Sequence, residues 1–88
     1  MIALIHGASG GHISIVRTSV NSGAIVNAQD ADGETALMRA AFFGHKEVVQ
    51  LFLESGADPN IETEDAETAL TMAEYSGEII IAEMLRLA

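Results

Sequence analysis

Eighty-eight residues suffice for one small domain and fall short of a multidomain enzyme. The absence of cysteine excludes disulfides, thiolate chemistry and a cysteine-ligated zinc site, and leaves the redox compartment open. A formal net charge of −9 argues against a nucleic-acid backbone or an anionic membrane as partner.

The chain opens Met1-Ile2-Ala3-Leu4-Ile5, without the basic flank of a secretory signal, and no later apolar run approaches a membrane span. A soluble, cytoplasmic protein is the default expectation. The segment from Met1 to Asn27 reads as two short helices around Gly11-His12, the first of three related units. Its second helix carries Thr18 and Ser19 where the next unit has Leu51 and Phe52, as expected of a terminal repeat with one side in water. Within it, Gly7-Ala8-Ser9-Gly10-Gly11 matches the G-x-S-x-G nucleophile elbow, with His6 and His12 alongside. That motif needs a sharp strand-to-helix turn above a sheet, whereas Ser9 falls at a turn between two helices. The match is read as coincidence, and a small serine hydrolase using Ser9 stays only as a remote alternative.

The middle unit, residues 28–60, is complete. Gly33-Glu34-Thr35 forms a turn and a helix start, with the Thr35 hydroxyl placed to accept a first-turn amide. Leu37, Ala40 and Ala41 share one helical face, and Gly44 ends that helix. Val48, Val49, Phe52 and Leu53 form the apolar side of a second helix, with Gly56 beyond its end. Asp30-Ala31-Asp32-Gly33 begins like a calcium loop, but the third acidic ligand and the distant glutamate are missing. His12 and His45 are equivalent in successive units and so lie roughly 8–10 Å apart, too far to share a zinc ion. Each is expected to close its inter-helix turn through local hydrogen bonds. No cofactor or metal is expected.

The third unit, residues 61–88, has Ala66 in place of the turn glycine, which predicts a looser or differently shaped hairpin. Glu62-Thr63-Glu64-Asp65-Ala66-Glu67 is strongly acidic. Its last helix carries Ile79, Ile80, Ile81, Met84, Leu85 and Leu87, with Ile80 and Leu87 in place of Glu47 and Glu54. A helix apolar on several faces implies an outer surface covered by a partner, a second copy or further repeats.

The three units superpose on sliding the sequence by 33. Ala36-Leu37, Ala41, Gly44-His45, Val49, Ser55-Gly56-Ala57 and Asn60 return upstream as Ala3-Leu4, Ala8, Gly11-His12, Val16, Ser22-Gly23-Ala24 and Asn27. Glu34-Thr35-Ala36-Leu37, Ala40 and Gly44 return downstream as Glu67-Thr68-Ala69-Leu70, Ala73 and Gly77. A turn and two helices at this period resemble the ankyrin repeat, and the match covers nearly the whole chain. The resemblance implies an all-α solenoid of helix-turn-helix units joined by β-hairpin-like turns, in three repeats with both terminal ones incomplete. Where the family commonly has Thr-Pro-Leu-His, this chain has Thr-Ala-Leu-Met (35–38) and Thr-Ala-Leu-Thr (68–71). Loss of that histidine removes an expected hydrogen-bonded link between neighbouring repeats.

The resemblance further implies a non-catalytic protein-interaction module whose partner binds the concave side of hairpin tips and first helices. Carried over by position, that surface is Gln29, Ala31, Asp32, Glu34, Phe42 and Phe43, then Glu62, Glu64, Asp65, Glu67, Tyr75 and Ser76. Phe42, Phe43 and Tyr75 would be an aromatic anchor ringed by carboxylates. Such a face suits a partner protein with a basic, partly apolar segment. Two other expectations are a structural end or excised piece of a longer array, and a homodimer through the C-terminal helix pair.

Overall fold

The computed structural model describes the backbone of residues 2–88 and the side chains of residues 4–88. Met1, where the sequence reading begins its first unit, lies outside the described residues, as does the side chain of Ala3. Among the described residues six helices follow in order: α1 (Ile2–Gly10), α2 (Ile13–Asn21), α3 (Ala36–Phe42), α4 (Lys46–Glu54), α5 (Ala69–Tyr75) and α6 (Ile79–Leu87). They form three antiparallel pairs. The first helices α1, α3 and α5 stack in one layer and the second helices α2, α4 and α6 in another. Helices of seven to nine residues are too short to be stable alone, so the stacking carries them. None among the described residues is long and apolar enough to cross a membrane.

Alanine makes the first layer possible. Ala8, Ala40, Ala41 and Ala73 are fully buried, and their small side chains let α1, α3 and α5 approach closely. Larger buried residues complete the same core: Leu4 and Val16, then Leu37, Met38, Val48, Val49 and Phe52, then Ile81 and Leu85. In α4 the buried residues Val48, Val49 and Phe52 recur at helical spacing, while Lys46, Glu47, Gln50 and Glu54 face water.

Each first helix of the last two pairs opens on a threonine cap. Thr35 Oγ1 accepts from Met38 N at 3.2 Å, and Thr68 Oγ1 accepts from Thr71 N at 3.2 Å. In return, Thr35 N donates to Met38 Sδ and Thr68 N to Thr71 Oγ1. The positions where the family commonly has histidine are therefore used for capping within the repeat.

A histidine link between repeats is made elsewhere. His45 Nε2 donates to the Ser9 carbonyl at 2.9 Å, across 36 residues. The expectation of a local bond is thus corrected: His45 reaches back to the preceding pair. It can do so because Gly11 leaves room, since a Cβ there would come within 2.6 Å of His45 Nδ1. Gly11 also sits at φ 71°, which glycine adopts without strain. His12 makes no such cap bond; its ring lies 6.0 Å from that of His6. Ser9 is not in a turn either. It lies in the last turn of α1, and its buried hydroxyl has no hydrogen-bond partner among the described residues, a base included.

The turns between pairs are hairpin-like in their bonds, without strands among the described residues. Asp30 N donates to Glu34 O at 2.9 Å and Gly33 N to Asp30 O at 2.9 Å. One repeat later, Thr63 N donates to Glu67 O at 2.9 Å and Ala66 N to Thr63 O at 3.0 Å. Ala66 holds φ 63° where Gly33 holds φ 81°. The expected looser hairpin is absent: alanine keeps the glycine turn and bears its strain. Asp30 Oδ1 supports the first turn by accepting from the amides of Asp32 and Glu34. Thr63 Oγ1 does the same for Asp65 and Glu67.

The C-terminal end of the stack is polar. Ile5, Ala8 and Val20 in the first pair, like Met38, Ala41 and Leu53 in the second, are wholly or partly buried. Their third-pair equivalents Thr71, Glu74 and Arg86 are exposed, which identifies these as the positions a following repeat covers. Arg86 Nη2 and Glu74 Oε2 form an ion pair at 2.7 Å across this open face, joining α5 to α6. Ile79, Ile80 and Leu87 lie elsewhere, at positions whose counterparts Lys46, Glu47 and Glu54 are exposed even between two neighbours.

Candidate partner-binding surface

The ends of α3 and α5 place three rings together. Phe42 ends α3, Phe43 follows it, and Tyr75 ends α5 one repeat later. Phe42 and Phe43 meet edge to face with centroids 5.1 Å apart. Phe42 and Tyr75 lie nearly parallel, 6.4 Å apart and 19° between planes. The rings are open to water: Phe42 is 38 % exposed, Phe43 50 % and Tyr75 85 %. Neither phenylalanine is tucked wholly against its neighbour.

From these rings a concavity of about 290 Å³ runs between the two helices to the carboxylates before their caps. Glu34, Arg39, Phe42, Phe43, Glu67, Met72 and Tyr75 line it. Five of these, all but Arg39 and Met72, are among the twelve positions read from the sequence. The others sit apart. Ala31, Asp32, Glu62, Glu64 and Asp65 lie exposed along the two hairpin turns. Gln29 holds the turns together, its amide nitrogen donating to Gly33 O at 2.8 Å and Glu62 O at 3.0 Å. Ser76 is half-buried and donates its hydroxyl to Met72 O at 3.0 Å, closing the end of α5.

Arg39 and Met72 escaped the sequence reading. Arg39 is one of only four basic residues, and the only one in the hairpin and first-helix segments of the last two units, so a cation among carboxylates was the available signal. Its Nε donates to Glu34 Oε1, and its Nη2 lies 3.4 Å from Asp30 Oδ2. The middle repeat thus answers its own acids. In the third repeat Met72 replaces that arginine, and Glu62, Glu64, Asp65 and Glu67 have no cation partner among the described residues.

A second exposed apolar region runs along α6, where Ile79 is 77 % and Leu87 84 % exposed. Beside it lies a smaller concavity lined by Glu74, Gly77, Glu78, Ile79, Ala82 and Arg86.

The model of the ankyrin repeats family, in three copies, matches residues 1–87. No curated protein matches the chain.

Proposed function

The chain belongs to the ankyrin repeat family, whose members are generally protein–protein interaction modules and typically non-catalytic, and from that premise we propose that it binds a partner protein on the α3–α5 face. The observation that carries this reading is the cluster of Phe42, Phe43 and Tyr75, which the fold does not need at exposed helix ends. Rigid aromatic side chains bury large apolar area at low entropic cost, and carboxylates around them select the sign of what approaches. The partner offers a basic, partly apolar segment. With the partner captured from the source cell, Phe42→Ala weakens its binding by about 1–4 kcal/mol, as truncating an anchor does. Glu64→Lys chiefly slows association and lowers its salt dependence. Unchanged affinity in a folded Phe42→Ala variant moves the site off this face.

The exposure of Ile80 and Leu87 favours a second reading, a two-fold dimer through α6. These residues replace glutamates of the middle repeat and so weaken repulsion between two acidic copies. Sedimentation equilibrium then gives a concentration-dependent dimer that Ile80→Glu and Leu87→Glu dissociate. A monomer at high micromolar concentration, indifferent to both changes, removes this reading.

A further inference from the structure

The middle repeat contains a worked example of how this surface holds a guanidinium. Arg39 projects from the second turn of α3 into the concavity and reaches Glu34, the residue before the Thr35 cap, with Asp30 on its other side. The third repeat copies the acceptor but not the donor. Glu67 precedes the Thr68 cap as Glu34 precedes Thr35, and it lines the same concavity. Where Arg39 stood, there is Met72, buried and without charge. Thr63, the counterpart of Asp30, is committed to the Asp65 and Glu67 amides. Glu67 is thus left exposed, its carboxylate without a hydrogen-bond donor or cation among the described residues.

We propose that a partner arginine completes this second copy, its guanidinium on Glu67 and its methylene stem along Met72, Tyr75 and Phe42. This rests on the α3–α5 face being the binding surface and names the chemistry it selects. Arginine suits the groove on both counts. Its stem is apolar enough to lie against rings and a thioether while its head stays at the charged end. Its planar fork makes two parallel bonds to one carboxylate, which the compact ammonium of lysine cannot do. The remaining carboxylates of the third hairpin, Glu62, Glu64 and Asp65, favour the approach of a cation from the same side.

A random-sequence peptide library displayed against the whole chain tests this without knowledge of the natural partner. Selected peptides that lose binding to Phe42→Ala are expected to share an arginine. Replacing it by citrulline, which keeps shape and loses charge, weakens binding about tenfold, the scale of a hydrogen bond to a charged group. Replacement by lysine costs less. Glu67→Gln weakens the arginine peptide to the same degree yet leaves the citrulline peptide unchanged, whereas Tyr75→Ala weakens both. Glu83→Gln, exposed on α6 and outside the concavity, alters neither. Peptides that depend on Phe42 but bind equally with citrulline overturn the arginine inference and leave the surface standing. Absence of binders to this face, or binders indifferent to Phe42→Ala, overturns the surface and the inference together.

Discussion

At Ala66 the backbone keeps a conformation suited to glycine, with φ 63° and the same pair of turn bonds as at Gly33. A side chain in the left-handed region costs roughly 1–2 kcal/mol, and glycine's extra unfolded-state freedom returns roughly 0.5–1 kcal/mol of that. Ala66→Gly is therefore expected to stabilise the chain by about 0.5–1 kcal/mol, read as a higher urea midpoint at constant slope. The reverse change one repeat earlier is worse. A Cβ on Gly33 would meet Thr63 Cα at 3.2 Å and Glu64 N at 3.3 Å, both backbone atoms of the next turn. Gly33→Ala thus combines strain with a contact tight enough to push the next turn's backbone aside, and is expected to cost about 1–3 kcal/mol. Equal effects of alanine at the two positions would sink this account. Part of this was legible, since the sequence aligns Ala66 with the turn glycine. What it could not reveal is that Thr63 Oγ1 holds the turn in place of Asp30 Oδ1, so the shape survives the substitution. His45 teaches the same lesson. Its repeat position was plain, but its bond to Ser9 O depends on the closeness of stacked pairs and on the room at Gly11.

Among elements, the helices themselves were readable from spacing: Leu37, Ala40 and Ala41 in α3, and Val48, Val49 and Phe52 in α4, are all buried. Phe52, fully buried, should cost about 3–5 kcal/mol on Phe52→Ala in chemical denaturation. The end of α6 was harder. Its run of apolar residues looks like an uncapped stack end, because sequence alone does not tell which helical face the following repeat would cover. The fold answers this through Thr71, Glu74 and Arg86, exposed where Met38, Ala41 and Leu53 are covered. The Glu74–Arg86 pair is about half exposed and so adds little stability, on the order of 0–1 kcal/mol. What it does provide is a polar surface on the open face of α5 and α6. Arg86→Ala should leave thermal stability nearly unchanged, whereas Glu74→Ala with Arg86→Leu restores the apolar face of the middle repeat. That double variant is expected to self-associate in sedimentation velocity while the parent does not stack through this end. A double variant that behaves as the parent does would deny these residues a capping role. The candidate surface was half legible in the same way. Position alone gave the rings and Glu34 and Glu67, but the pairing of Arg39 with the middle hairpin appears only once α3 is folded against its turn.

For the whole molecule, stability is held in the interfaces between pairs, so no pair is independent. The middle pair packs against both of the others, with Met38, Ala41 and Phe52 buried and His45 bonded to the first. Removing residues 61–88 takes away α5 and α6 and leaves Met38, Ala41 and Leu53 facing water. Two harms follow, a lost interface and a newly exposed apolar end, and they can be separated. The truncated chain is expected to show little helical signal by circular dichroism and to precipitate at moderate concentration, because two repeats fall short of the roughly three a stack needs. Copying the polar end of the third pair onto the second, by Met38→Thr, Ala41→Glu and Leu53→Arg, should cure the precipitation. It should not restore the helical signal, since the contacts between α3 and α5 remain absent. A cooperative thermal transition in the truncated chain would mean that the first two pairs fold alone, against the account of stability residing in the interfaces. A polar-ended truncation that still precipitates would instead place the aggregating surface on another face, with the open flank of α2 around Ile15 the next to be substituted.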